Sequence, residues 1–247
     1  MKEVVSKMIL MLTKILPYEM IMMVLSYIPL NRKSVRSMNL ANKNHESIQL
    51  ILGNIGKLTN LRSLNLTGTM VTKTLLQLIS NSCSLDELIL KKCNAFTSNC
   101  GVNNRSIKSL TLYNTLKTIN LAYCINVGDI GVKYLATNFL HLRSVNLLGS
   151  INLTDSSIKM LSISCTKLTY INLSYCPMIT DDGVKSLIGC TELITVILDE
   201  CVNVTSPPSK LITPPLARNK SDHCLDVEPN AAPFDVTGKV ALDGELI

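Results

Sequence analysis

Apolar residues recur along the middle of the chain in one spaced pattern. An apolar residue is followed after two variable positions by a second, after one more by a third, and after two more by Cys or a small residue. Regular copies of such a unit predict a repeat architecture, in which each unit is completed by its neighbours. The six copies start at Leu61, Leu85, Leu116, Leu142, Leu168 and Leu193, in steps of 24, 31, 26, 26 and 25 residues.

In the third, fourth and fifth copies the pattern of a short strand is followed by that of a helix. Ile171 and Leu173 are two residues apart, so their side chains lie on one face of a strand. The following block, 179–190, places Thr, Asp and Gly before Val184 and Leu187, which suits the capped start and buried stripe of a helix. We therefore predict an α/β solenoid with short parallel strands and helices on the convex side.

The step of 31 residues between the second and third copies departs from this spacing. Ile107, Leu110 and Leu112 resemble another strand of the pattern. Leu116, however, follows Ile107 by only nine positions, which leaves no room for a strand and a helix. We therefore interpret 103–113 as a distorted helix.

The nine cysteines and three histidines do not indicate a metal site or a catalytic centre. Most cysteines take a fixed place in the repeat, as Cys176 and Cys201 do, which favours a column of small buried side chains over clustered metal ligands. His45, His141 and His223 lie in no nucleophile, HExxH or phosphate-loop motif. We expect no metal, no cofactor and no enzymatic activity.

The sequence argues against nucleic acids and membranes as partners. The net charge of +6 is spread thinly, and only ten residues are aromatic, so we expect no nucleic-acid partner. The apolar stretch 8–30 is interrupted by Lys14, Pro17 and Glu19, and the first residues lack a signal-peptide pattern. We expect no membrane association and a cytoplasmic or nuclear location.

The chain divides into three predicted parts. Residues 1–50 are a small helical domain or cap, and residues 51–204 hold the repeats. Residues 205–247 contain six of the nine prolines and keep neither the repeat spacing nor a helical period. We predict a disordered tail there, which offers no obvious cover for the last strand.

The repeat resembles the cysteine-containing leucine-rich repeat of F-box/leucine-rich-repeat proteins and of antagonist-of-mitotic-exit-network proteins. The resemblance covers roughly residues 55–204 and is carried most closely by 165–190, CTKLTYINLSYCPMITDDGVKSLIGC. It implies a leucine-rich-repeat solenoid that binds another protein.

The N-terminal part resembles an F-box. Residues 15–30, ILPYEMIMMVLSYIPL, are similar to the opening of that domain. Residues 34–48 are similar to its second half, with Asn42 in place of the usual Cys and His45 at an aromatic position. The alternative is a helical cap that shields the first repeat.

By this resemblance the chain is a substrate-recognition subunit of a Skp–cullin–F-box (SCF) E3 ubiquitin ligase. The F-box-like segment would bind the Skp-type adaptor and, through it, the cullin complex. The repeats would hold an unknown target protein for ubiquitin-dependent proteasomal degradation. The alternative is a leucine-rich-repeat scaffold or inhibitor without ligase association. The adaptor-facing residues carried over by the motif are Leu16, Pro17, Glu19, Leu25, Pro29 and Leu30.

Strand residues that flank the buried ones are expected on the concave surface, because side chains alternate along a strand. A column of asparagines there has two interpretations: repeat architecture, which we favour, or amides offered to a partner's backbone. Tyrosines are the better anchors, since they offer large contact area at low entropic cost. The candidate partner-binding residues are Asn120, Asn146, Leu148, Tyr170, Asn172, Tyr175 and Ile197.

Overall fold

The computed structural model describes residues 36–42, 60–82, 84–93, 101–110 and 115–206. The F-box-like segment 15–30, with all six candidate adaptor-facing residues, lies outside these ranges. The tail beyond Ser206 also lies outside them.

Short strands alternate with helices along the described chain. We call a strand, with the chain that leads to the next strand, a coil. The strands are β1 (Ser37–Asn39), β2 (Ser63–Asn65), β3 (Glu87–Ile89), β4 (Thr118–Asn120), β5 (Ser144–Asn146), β6 (Tyr170–Asn172) and β7 (Thr195–Ile197). The helices are α1 (Lys73–Ser82), α2 (Asn104–Lys108), α3 (Asp129–Asn138), α4 (Asp155–Ser164) and α5 (Asp181–Ser186), and a 3-10 helix, Leu187–Gly189, follows α5.

The strands form one parallel sheet whose order follows the sequence from β1 to β7. The register is constant, with Leu64 beside Leu88 and Val145 beside Ile171. The helices also pack in chain order, α2 on α3, α3 on α4 and α4 on α5. This confirms the predicted solenoid of parallel strands joined by helices.

The sheet holds one strand more than the six that the spacing predicts. β1 pairs with β2, with Met38 beside Leu64, and Leu40 is fully buried. This strand lies inside 34–48, for which the resemblance predicts the second half of a helical F-box. Residues 37–39 instead form the strand of the first coil. The signal is present in the sequence, because 35–40 repeats the apolar spacing of 61–66, 26 residues earlier.

The core is a set of columns, each with one aliphatic side chain per coil. In the sixth coil Ile171, Leu173, Val184 and Leu187 have no exposed surface. Strand and helix residues therefore share one interior that runs along the solenoid. Truncating such a side chain to Ala typically costs about 2–5 kcal/mol.

Cysteines form one of these columns and bond to the backbone. The thiols of Cys93, Cys124 and Cys201 lie 2.9, 3.0 and 3.0 Å from a carbonyl oxygen of the preceding coil. Burial raises the pKa of Cys176, which belongs to this column, to about 12, and that of Cys165, which precedes β6, to about 12 as well. Among the residues that the structure describes, no cluster of His, Cys, Asp or Glu could hold a metal ion.

The long step between β3 and β4 holds a short helix. α2 has five residues, against ten in each of α1, α3 and α4. Ile107 lies in α2 and Leu110 in the turn after it, and both are buried. The prediction of a distorted helix over 103–113, instead of another strand, is confirmed for the described part of that segment.

A ladder of carboxylates ties the first turn of each later helix to the next coil. Asp155 accepts two hydrogen bonds from Thr180, from its backbone N–H at 2.9 Å and its hydroxyl at 2.7 Å. The Thr180 hydroxyl in turn caps its own helix. The same pair of bonds joins Asp129 to Thr154 and Asp181 to Thr205. The Thr and Asp of the repeat motif therefore join neighbouring coils, because the Thr of one coil donates hydrogen bonds to the Asp of the coil before it.

The small residue two positions after each of these aspartates makes room for the ladder. A Cβ on Gly183 would overlap the carboxylate of Asp155. At the equivalent place one coil earlier, Ser157 donates its hydroxyl proton to Asp129. The position therefore takes either no side chain or one that bonds to the carboxylate.

The last described coil is the least buried. Val196, the middle residue of β7, is only half-buried, whereas Val145 and Ile171 have no exposed surface. Ile194 is 66% exposed. β7 is the end strand of the sheet.

Candidate partner-binding face

The third residue of most strands is an asparagine whose side chain closes the following turn. The Oδ1 atoms of Asn120, Asn146 and Asn172 accept the backbone N–H two residues further on, at 2.9, 3.1 and 2.9 Å. All three side chains are buried, as is Leu148. The geometry favours the architectural interpretation, and these four candidate residues offer little surface to a partner.

After each of these turns the chain has a residue in the left-handed backbone conformation, and the tyrosines at this position project from the turn. Tyr123 and Tyr175 have φ of 60° and 57°, and their N–H groups donate to Leu148 and Asp199 of the next coil at 2.6 and 2.8 Å. Gly149 occupies the same place between them, and its φ is 71°. A Cβ there would lie 2.8 Å from the Tyr123 ring, so the glycine lets that ring lie over the next coil.

The remaining candidates are accessible. Tyr175 is 52% exposed, and Tyr170 and Ile197 are half-buried on the strands. Burial raises the pKa of Tyr170, and a hydrogen bond with Asn172 acts in the opposite direction. Tyr170 therefore offers a half-buried ring on strand β6, while Tyr175 offers a more exposed ring in the turn after that strand.

Exposed apolar residues that the repeat spacing does not predict follow the turns that hold these tyrosines. Ile125, Ile151 and Val202 directly follow the Cys or Ser of their repeats and are 41, 49 and 71% exposed, and Met178 is 51% exposed. We call these four residues the apolar ridge. For Ile125, Ile151 and Val202 the signal was an apolar residue directly after the small one, but exposure at that position does not follow from spacing.

Charges of opposite sign lie at the two ends of this face. Lys91 and Lys92 follow β3, and the Lys92 ammonium lies 5.7 Å from the centroid of the Tyr123 ring. Asp199 and Glu200 follow β7 and are exposed. A partner that covers the turns after the strands would therefore meet the two lysines at one end and the two carboxylates at the other.

Comparison with known proteins supports the architecture. A family model described as Leucine Rich repeat matches residues 114–136 and 164–187. A search of curated protein sequences gave no match. The fold is that of leucine-rich-repeat proteins, which typically act as binding scaffolds and not as enzymes.

Solved structures share this fold at low identity. A chain of the Rad7–Elc1 complex from yeast is 23% identical over 72% of this chain and 43% of that chain, with a TM-score of 0.54. Internalin C2 from Listeria monocytogenes is 21% identical over 73% of this chain and 69% of its own, with a TM-score of 0.52. This chain thus spans less than half of the yeast chain. In the described ranges, no helix combines the length and apolarity needed to cross a membrane.

Proposed function

We propose that this chain is the substrate-recognition subunit of a Skp–cullin–F-box ubiquitin ligase, itself without catalytic activity, in the cytoplasm or nucleus. The observation that carries the proposal is the order of its parts. A segment similar to the opening of an F-box, 15–30, directly precedes a protein-binding solenoid of leucine-rich repeats. A receptor needs these two surfaces, one for the adaptor and one for the target.

The target would bind on the face formed by Tyr170, Tyr175, Ile197 and the apolar ridge. Aromatic and aliphatic side chains that are already ordered contribute most to such interfaces, because little entropy is lost on binding. A standard interface buries about 800 Å² on each partner. One solved neighbour is itself a chain of a two-protein complex, that of Rad7 with Elc1.

A leucine-rich-repeat scaffold or inhibitor without ligase association is the second candidate. It is favoured by β1, because Ser37–Asn39 forms the strand of the first coil where the resemblance expects the second half of the F-box. In that case the residues before β1 would only cap the solenoid, whose open end needs such cover.

Co-purification of the full chain with a Skp-type adaptor separates the two candidates. We expect the unmutated chain to retain the adaptor and Leu16→Asp with Leu25→Asp to lose it, since a carboxylate at each position opposes the apolar contact that an F-box would make with its adaptor. The matched control is Ile130→Asp with Ile163→Asp, at exposed positions of α3 and α4. Failure of the unmutated chain to retain the adaptor would contradict the ligase proposal and favour the scaffold.

A further inference from the structure

The turns that follow β3 to β7 stack into one row. The left-handed residue of each turn donates its N–H to a carbonyl oxygen of the next turn, in the pairs Lys92 with Ala122, Tyr123 with Leu148, Gly149 with Ser174 and Tyr175 with Asp199, at 2.6 to 2.8 Å. Neighbouring turns therefore follow one another at a fixed spacing, close to the roughly 4.8 Å between neighbouring strands. We call these five turns the turn row.

The turn row carries opposite charges at its two ends. Lys91 and Lys92 occupy its first turn and Asp199 and Glu200 its last, and the three turns between them hold no charged residue. The ion pairs between described residues involve none of these four side chains. The ammonium of Lys92 lies over the Tyr123 ring, a contact that leaves its positive charge in place. Lys92, Asp199 and Glu200 are exposed, so their charges can pair with groups of another molecule.

The neutral turns are arranged alike on both sides of the centre. Gly149 lies in the middle turn, and Tyr123 and Tyr175 lie one turn to either side of it. The apolar ridge follows the same order along the coils, with Ile151 after the middle turn. A half turn about an axis through the middle turn therefore exchanges the two tyrosines and exchanges the two charged ends.

We propose that two copies of this chain associate through the turn row and the apolar ridge, about a two-fold axis that crosses the row at Gly149. Two-fold pairing of one surface patch with itself is the commonest form of self-association. With this axis the lysine pair of one copy faces Asp199 and Glu200 of the second copy, and the same contact is repeated at the other end. An axis along the row would instead place lysines opposite lysines, which like-charge repulsion opposes.

The centre of this interface is apolar and its two ends are charged, as is common in protein interfaces. Tyr123 of one copy meets Tyr175 of the second copy, and Ile151 lies near the axis, opposite the same residue. The row spans four strand spacings, about 19 Å. A patch of this length is small beside a standard interface, which buries about 800 Å² on each partner, so we expect a weak dimer with a dissociation constant in the micromolar range.

Self-association would cover Tyr175 and the apolar ridge, to which the proposed function assigns the target. The dimer and the complex with a target therefore exclude each other. The pairing itself does not rest on the ligase role, because it needs only the surface of this chain. Retention of a Skp-type adaptor, which tests that role, is expected to be unchanged in each variant below.

Reversal of the charges at one end of the row tests the pairing. Sedimentation velocity of the full chain, across the micromolar range of concentration and at physiological ionic strength, measures the association. We expect Lys91→Glu with Lys92→Glu to weaken dimerisation about tenfold or more, because four acidic side chains would then meet at each end. Asp199→Lys with Glu200→Lys should have the same effect, because four lysines would meet there.

An equimolar mixture of these two variants is the matched control. In a mixed dimer each end again pairs two lysines with two acidic residues, so we expect the association to return to within about threefold of that of the unmutated chain. The variant with all four substitutions has the net charge of the unmutated chain and should also form dimers. Neither recovery is possible for a variant that has failed to fold.

Ile151→Asp tests the centre of the interface, because one substitution there brings two carboxylates together near the axis. We expect it to weaken dimerisation about tenfold or more, and Ile130→Asp, at an exposed position of α3, to leave it within about twofold. Monomers at every concentration, assemblies of more than two copies, dimers that survive the charge reversal at one end, or a mixture that does not associate would each overturn the proposal.

Discussion

At the scale of single residues, the turn that leaves each strand requires an uncommon backbone conformation. Lys92, Tyr123, Tyr175 and Glu200 have φ between 57° and 60°. For a residue other than glycine this region costs roughly 1–2 kcal/mol. The N–H groups of Lys92, Tyr123 and Tyr175 donate to carbonyl oxygens of the next coil, and these hydrogen bonds offset part of the cost. Tyr123 and Tyr175 are therefore presented on a backbone that the sheet already fixes.

We predict that Gly183→Ala destabilises the protein by about 1–2 kcal/mol, although Ala favours helix by about 1 kcal/mol over Gly. The added methyl group would overlap the Asp155 carboxylate that bonds to Thr180. Urea unfolding of the full chain, with the slope of the transition compared between variants, measures the difference.

Gly183→Ser is the matched control for this substitution. Its Cβ meets the same Asp155 carboxylate, but its hydroxyl can repeat the bond of Ser157 to Asp129 one coil earlier, so we expect the Ser variant to be about 1 kcal/mol more stable than the Ala variant. If the Ala variant were as stable as the Ser variant, the carboxylate would not control this position.

Apolar spacing predicted which residues are buried but not which backbone conformations join them. The column of asparagines was visible in the sequence, and its use in the turn was favoured over contact with a partner. The positive φ of Tyr175 was not visible, because only Gly68 and Gly149 carry the usual glycine signal at that position. The apolar ridge was missed for a related reason, since a pattern of burial does not report exposed apolar side chains.

At the scale of elements, the bonds between the helix starts depend on ionised aspartates. The Thr205 hydroxyl lowers the pKa of Asp181 to about 2. Burial raises the pKa of Asp129, but hydrogen bonds from Ser157 and Thr154 outweigh it, so that the pKa lies below the ordinary value of 3.8. These carboxylates stabilise the fold fully only while they are charged.

We predict a loss of stability as pH falls from about 4 towards about 2. A carboxyl whose pKa is lower in the folded state stabilises that state above its unfolded pKa, and this contribution is lost as pH falls through the folded pKa. Thermal unfolding followed by circular dichroism across this range measures the loss. Asp129→Asn with Asp181→Asn should be less stable at neutral pH and show a shallower decline with acid.

Asp199→Asn serves as the control, because this exposed carboxylate lies after β7 and outside the ladder. Its acid profile should follow that of the unmutated chain. Equal slopes for the ladder variant and the unmutated chain would contradict a role of the ladder in acid stability.

Most elements could be predicted because each coil repeats the same two patterns. The first strand was overlooked since Met38 stands where the later strands have Leu, Ile or Val, and since 34–48 also resembled a helical segment. The length of α2 could not be predicted, because spacing does not show that a capping box starts a helix of only five residues there.

At the scale of the whole molecule, the proposed function predicts that the two binding surfaces act independently. Tyr170→Ala with Tyr175→Ala should weaken target capture by about tenfold or more, as expected for loss of aromatic anchors, and leave adaptor binding unchanged. Quantitative affinity purification of the full chain with its bound proteins measures both effects in one experiment.

Ile130→Ala with Ile163→Ala controls for removal of exposed apolar surface, because both residues lie on the helices. This variant should capture the same proteins as the unmutated chain. An unchanged set of captured proteins for the tyrosine variant would contradict the assignment of this face.

The sparse burial of β7 sets the direction in which the solenoid comes apart. Each coil is held mainly by its nearest neighbours, and among the described strands β7, which contains Val196, pairs with β6 alone. Because the middle residue of β7 is also less buried than that of β1, the other end strand, we expect fraying to begin at β7 and to advance towards β4, in steps that need not involve the whole chain. Amide hydrogens of Thr195–Ile197 should exchange with deuterium well before those of Thr118–Asn120. A ligand that slows the exchange of β7 would then be recognised as one that stabilises this end of the sheet.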